Sequence, residues 1–288
     1  MSPTKRILKR LVIVLIYVLI AALLGLAAYF IVKPKPTCFD GIQNQNEEGV
    51  DCGGPCVKKC ETPVIDNLKI EEKAIVTDGF GSYDVLAKVT NPNAEFGAAS
   101  FKYVFDLLGS DGEILEKKEG TSFILPAQTK YILAFNLKPR IEPASLEFRI
   151  ISFKWLKFLE YEEPSIDVYS KELNIVSSGI GFAELKAKIR NRSDYDFKEI
   201  VAKIVIRDQH DKPVALNQTS INDVRVNDER EIVVRWDNPF SVDPVSQKIE
   251  IEKEVNVLDN YNFMEEHGTQ EQYESYDFGN VNDQTSNE

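Results

Sequence analysis

Apolar and polar positions follow three different patterns along the chain. Leu11 to Val32 is a run of 22 residues without one charge. At about 1.5 Å of rise per residue it spans roughly 33 Å as a helix, enough to cross a bilayer, which predicts a transmembrane helix over 11–32. From residue 83 the pattern becomes an alternation of period two. Segments 83–90, 101–108, 129–137 and 146–153 carry β-branched and aromatic residues at every second position. The turn signals Asn91-Pro92-Asn93, Ser110-Asp111-Gly112 and Leu125-Pro126 separate them, and this is the pattern of short half-buried strands. After Leu258 neither pattern persists. Residues 259–288 hold eight Asp or Glu and no Lys or Arg, which predicts an acidic disordered tail.

The strand-rich part repeats itself at a shift of one hundred residues. Ile75-Val76-Thr77-Asp78-Gly79-Phe80-Gly81 falls on Ile175-Val176-Ser177-Ser178-Gly179-Ile180-Gly181, and Ala87, Lys88 and Asn91 fall on Ala187, Lys188 and Asn191. The same shift sets Asp111-Gly112-Glu113-Ile114 on Asp211-Lys212-Pro213-Val214, and Ile132 on Ile232. One residue later, Phe148 and Ile150 meet Ile249 and Ile251. Self-similarity on this scale points to two homologous domains, 64–162 and 163–258, joined at Glu162-Glu163-Pro164. Six or seven short strands in about 95 residues read as a β-sandwich. The predicted fold class is therefore all-β, with tandem immunoglobulin-like β-sandwiches behind one N-terminal transmembrane helix and a small disulfide-rich segment.

Charge adds orientation and removes a class of partner. Lys5, Arg6, Lys9 and Arg10 precede the apolar run, against Lys33 and Lys35 after it. Positive flanks stay in the cytoplasm, so residues 1–10 are expected inside and the bulk of the chain outside, as a single-pass membrane protein. The balance of 34 Lys+Arg against 46 Asp+Glu gives −12, a field that repels phosphate backbones and argues against nucleic acid as a partner.

All four cysteines fall within 36–60, at Cys38, Cys52, Cys56 and Cys60. An even, clustered set in an extracytoplasmic segment favours two local disulfides, with three pairings open, over a four-thiolate zinc site. Asp40, Asn44, Glu47 and Asp51 between the first two cysteines are hard oxygen donors and weak Ca²⁺ candidates, although their spacing is not that of an EF-hand. The plainer reading is a polar, turn-rich loop closed by disulfides, and no cofactor is implied. The pattern C-x-D-G-x-x-N-x-x-E-x-G-x-D-C-G-G-x-C-x-x-x-C resembles a short cysteine motif of bacterial and archaeal envelope proteins. That resemblance implies export and a small stalk module. The order K-V-T-N-P-N, D-G-E-I-L, L-P-A and K-Y-I-L-A-F in the first repeat resembles the water-stress domain of the late embryogenesis abundant type 2 family. It implies a binding or structural module without a catalytic site. The second repeat departs from it at Asn191-Arg192-Ser193 and Asp211-Lys212.

Few residues suggest chemistry. His210 sits in a predicted hairpin turn and His267 in the tail, and no nucleophile accompanies either. Trp155 and Trp236 occupy late strands, where core packing is the default and an exposed ligand platform the sharper alternative. An enzyme is not expected. The sequence points to a membrane-anchored extracytoplasmic binding or envelope-assembly protein, with the membrane, through Leu11 to Val32, and a protein or envelope component as partners. The alternative is a structural spacer without a specific ligand.

Overall fold

The computed structural model describes residues 3–32, 37–40, 44–47, 51–59, 64–176, 180–241 and 247–272. The chain divides into two compact units, Met1–Val64 and Ile65–Glu288.

In the first unit, helix α1 (Pro3–Val32) takes in the whole uncharged run. It is rich in Leu and Ala, which lose little freedom in a helix. Among the described residues no helix is long and apolar enough to cross a membrane. The described side chains of α1 include all those of residues 10–26. Every one of those side chains is exposed, so the helix shows apolar groups on all its faces.

The second unit is β-sandwich-like throughout. Its first half contains β1 (Lys69–Thr77), β2 (Tyr83–Thr90), β3 (Phe96–Leu108), β4 (Ile114–Ile124), β5 (Thr129–Leu137) and β6 (Ser145–Phe158). The second half contains β7 (Ile166–Ile175), β8 (Ala183–Asn191), β9 (Phe197–Arg207), β10 (Pro213–Val224), β11 (Glu229–Trp236) and β12 (Lys248–Val255). All pairings are antiparallel, and both halves have one connectivity: β1-β2-β5 and β4-β3-β6 in the first, β7-β8-β11 and β10-β9-β12 in the second. Alternation is clean in β8. Ala183, Leu185, Ala187 and Ile189 are buried while Lys186 and Lys188 are exposed, as a pleat with one face in the core requires.

Each half has its own core. Val85, Ala87, Val89, Phe101, Phe105 and Trp155 belong to the first, and Leu185, Ala187, Ile189, Ile200, Ile204 and Trp236 to the second. A third cluster joins the halves, with Val76, Leu86, Tyr131 and Leu133 packed on Val205 and Leu216. Burial of such a side chain contributes about 1.5–3 kcal/mol. The outer face of β1-β2-β5 is therefore covered by the outer face of β10-β9-β12. That is why Leu86 is fully buried between two inward-facing neighbours.

The register departs from a constant shift in two places. In the β3–β4 hairpin Gly109 N–H donates to Glu113 O and Gly112 has φ +83°, whereas in β9–β10 Asp208 N–H donates to Lys212 O and Asp211 has φ +62°. Gly112 thus corresponds to Asp211, one residue earlier than the sequence alignment places it, because the left-handed turn position fixes the match. In the last strands Phe105 faces Phe148 and Leu107 faces Leu146, while Ile204 faces Ile251 and Ile206 faces Ile249. Carried through the hairpin, this makes Phe148 the counterpart of Ile251 rather than of Ile249. The longer connection before β12 absorbs the two residues, and an even shift leaves the inward face unchanged.

The expected disordered tail over 259–288 needs correction for its first part. A 3-10 turn (Val257–Asp259), helix α2 (Tyr261–His267) and strand β13 (Gly268–Gln272) follow β12. Asn256 and Asn260 cap the turn and the helix through Leu258 N–H and Phe263 N–H. Phe263 is 1% exposed among Tyr161, Tyr195 and His267. β13 pairs with β6 and covers an otherwise open sheet edge. The acidic composition concealed one apolar anchor. Residues 273–288 lie outside the described residues.

Candidate functional site

Cys38 and Cys56 form a disulfide with Cα atoms 5.7 Å apart. Cys52 is disulfide-bonded as well, and Cys60 lies outside the described residues. Sulfurs held in a disulfide are not thiolates, so the cluster of Cys38, Cys56 and Glu47 offers a metal only one carboxylate. The four candidate oxygen donors do come together. Asn44 Nδ2 donates to Asp40 at 3.0 Å, and Asp40 N–H to Asp51 Oδ1 at 2.9 Å. The N–H groups of Asn44 and Asp51 both donate to Glu47 Oε2. The Asp40, Asp51 and Glu47 carboxylates thus accept from backbone N–H groups of the loop, as turn-capping oxygens do.

A buried charge network lies between the two sandwiches. Arg207, 3% exposed, donates from both terminal nitrogens to Glu72 at 2.8 and 2.7 Å, from Nε to Glu250 at 3.0 Å and from one terminal nitrogen to Tyr131 Oη at 3.0 Å. Lys203 donates to Tyr131 O at 2.7 Å and to Glu254. Lys130, fully buried, pairs with Glu254 and donates to Phe123 O at 2.7 Å. Glu252 accepts from Tyr131 N–H, a free donor on the edge of β5.

Titration behaviour follows from this packing. Burial, aided by nearby Lys203, pulls the Lys130 ammonium down to about 8, against the opposing pull of Glu254 and Glu252. Burial alone would raise Glu250, yet hydrogen bonds from Lys248, Tyr131 and Arg207 outweigh it and hold the carboxyl at about 2. Burial raises Glu252. Glu254 also meets a burial penalty, but Lys130 and Lys203 draw it below the ordinary carboxylate range. Desolvating so many charges is costly even when they are paired, so the network does not by itself add much to stability.

Both tryptophans are core residues. Trp155 is 2% exposed and stacks on Phe153, and Trp236 donates from Nε1 to Leu216 O at 2.9 Å. Neither is an exposed platform. His210 is exposed on its hairpin, as expected. His267 differs from its expected place in a free tail, since it packs on Phe263 with ring centroids 4.7 Å apart. The interface cations were not legible because Lys203 and Arg207 alternate with inward-facing Ile204 and Ile206, the ordinary pattern of a solvated face. The one available signal was on the opposing strands, where Leu86, Tyr131 and Leu133 put apolar groups on the outer face.

Two clefts stand out. One, of about 700 Å³, is walled by Asp194, Asp196, Glu199, Glu254 and Asp259 together with Lys198. The other, of about 420 Å³, lies between Asp78, Asp84 and Asn136 of the first sandwich and Asn217, Trp236 and Asp237 of the second.

No protein-family model matches the chain, and no curated protein matches it. Among solved structures, the calcium binding domain CBD12 of CALX1.1 is similar at 11% identity, with 65% of this chain and 82% of that chain covered and a TM-score of 0.20. Red sea bream transglutaminase is similar at 11% identity, with 67% and 30% covered and a TM-score of 0.21. Likeness at this level carries no functional argument.

Proposed function

We propose that the chain is a single-pass membrane protein that presents two immunoglobulin-like β-sandwiches, on the extracytoplasmic side, as one rigid binding or envelope-assembly head. The observation that carries the reading is the network of Arg207, Lys203 and Lys130 with Glu72, Glu250, Glu252 and Glu254. A spacer of independent beads needs no such network, whereas a binding surface shared by two domains needs a fixed angle between them. The uncharged run in α1 supports the anchor. The disulfides support an oxidising location, and the resemblance to the water-stress domain agrees with a module that binds without catalysis.

Two measurements test the reading. Protease added to intact spheroplasts should remove residues 65–272 while leaving an N-terminal fragment in the membrane, and survival of the sandwiches would overturn the orientation. Affinity capture of the full chain from solubilised membranes should retain a stoichiometric partner. A chain that repeatedly elutes alone would favour the structural spacer.

A further inference from the structure

Two large apolar side chains stand uncovered on corresponding hairpins. Phe80, at the tip of the β1–β2 hairpin, is 76% exposed, and Ile180, in the connection between β7 and β8, is 90% exposed. The Phe80 hairpin is held in shape. Asp78 Oδ1 accepts from Phe80 N–H at 2.8 Å and from Ser82 N–H at 3.0 Å, and Asp78 N–H donates to Ser82 O at 3.1 Å. Gly79 and Gly81, at φ +77° and +88°, take the left-handed conformations that the tight turn demands. A preorganised loop whose tip is an exposed phenylalanine gains nothing for the fold from that ring.

Both hairpins lean on a single segment, 236–240. Phe182 N–H donates to Trp236 O at 2.6 Å, and Phe182 packs on Phe240 with centroids 5.2 Å apart. Two residues beyond Trp236, Asn238 Nδ2 donates to Asp78 Oδ2 at 3.2 Å. The cleft of about 420 Å³ opens along this segment, and its wall carries Asp78, Asp84 and Asp237. Its one arginine, Arg235, is engaged by Glu184 at 2.6 Å. Asp78 accepts from the Phe80 N–H itself, and Gly181, next to Ile180, lies against Asp237, so each apolar side chain has a carboxylate beside it.

We propose that this surface, with Phe80 and Ile180 as apolar anchors and Asp78, Asp84 and Asp237 as an acidic rim, docks a protein partner whose apolar side chains are flanked by Lys or Arg. The proposal rests on the binding reading above and supplies its site. Charge selects the occupant. An anionic lipid surface would be repelled by the rim, and a second copy of this chain would bring the same carboxylates against it, whereas a basic, apolar-bearing protein surface complements both features.

The test uses the full chain in membranes of its own cells, with the photo-crosslinking residue p-benzoylphenylalanine in place of Phe80 or Ile180. Tyr261, also exposed at 76% but on the other cleft, beside Asp259 and Asn260, is the control position. Irradiation should link both tips to the same protein, through a peptide in which Lys or Arg flanks apolar residues. Asp237→Lys should lower the yield roughly tenfold, since like charge opposes docking, and leave the melting temperature unchanged. Adducts with phospholipid, a linked peptide without cationic residues, equal yield from position 261, or no adduct at either tip would each overturn the assignment. A partner captured stoichiometrically but not linked from these tips would overturn this surface alone, whereas a chain without any partner would overturn the binding reading as well.

Discussion

Asn91 and Asn191 hold the same corner of the two sandwiches. Asn91 Nδ2 donates to the carbonyls of Phe96 and Leu125 at 2.6 and 2.9 Å, and Asn191 Nδ2 to those of Tyr195 and Arg225 at 2.7 and 3.2 Å. Each side-chain oxygen accepts from the backbone N–H two residues on, at 3.0 Å. Asn93 adds its amide in the first half and Ser193 its hydroxyl in the second. The departure from N-P-N to N-R-S therefore preserves the donor that the corner uses.

Since both asparagines are at most 1% exposed, removing either leaves buried carbonyls without donors. Asn91→Ala and Asn191→Ala should each destabilise the protein by about 2–3 kcal/mol in urea denaturation. An effect below about 0.5 kcal/mol, typical of a surface change, would mean that the corner contributes little.

Strand register gives a sharper contrast. Val89 and Ile189 are fully buried on the inner faces of β2 and β8, so truncation to Ala should cost roughly 2–4 kcal/mol at either site. Lys188→Ala, on an exposed position, should stay within about 0.5 kcal/mol. Leu86 and Lys186 occupy equivalent outward positions, yet only Leu86 is buried, against the second sandwich. Leu86→Ala should therefore cost about as much as Val89→Ala, while Lys186→Ala should be near neutral. Equal effects at 86 and 186 would deny the packing of one sandwich on the other.

Such contrasts also mark what sequence could and could not disclose. Period-two alternation in residues such as Leu185, Ala187 and Ile189 reports one buried face, because each residue meets its own sheet's core. Leu86 breaks the alternation, and Lys203 and Arg207 obey it, since burial of an outer face depends on a second domain some 120 residues away in sequence. The acidic segment after Leu258 misled for the same reason. Phe263 is one of five scattered aromatics in a polar stretch, and only the gap between Tyr161 and Tyr195 explains its place. The oxygen-rich loop showed its residues but not their use, because the Asp40, Glu47 and Asp51 carboxylates accept from backbone N–H groups of the same loop.

Lys130 makes stability depend on alkaline pH. Its ammonium titrates at about 8 in the folded protein, below the ordinary lysine value of 10.5, so between those values the unfolded chain binds more protons. Stability from this group then rises with pH through that window, because deprotonation relieves the cost of burying the charge. Tyr131, raised by burial in the fold, acts in the opposite sense once unfolded tyrosine ionises near pH 10. Denaturation at pH 7.5, 8.5 and 9.5 should show a gain for wild type relative to Lys130→Met. Parallel pH profiles for the two proteins would rule Lys130 out as the cause.

The C-terminal helix should behave as part of the head. Cutting the chain after Leu258 removes Phe263, which is 1% exposed, and uncovers Tyr161, Phe158 and Tyr195 at the junction of the sandwiches. It also removes β13, which pairs with β6 at Gly268 and Gln272. Loss of the phenylalanine burial alone amounts to about 1.5–3 kcal/mol, and the opened edge of β6 becomes a template for strand pairing between molecules. A chain ending at 258 should therefore melt at lower temperature than one ending at 272, and should aggregate more readily on heating. Phe263→Ala in the full chain separates the two effects: it should reproduce the loss of stability while leaving β13 on the edge of β6, so the aggregation should not follow. Equal melting temperatures for the 258 and 272 chains would mean that α2 and β13 rest on the sandwiches without contributing to them.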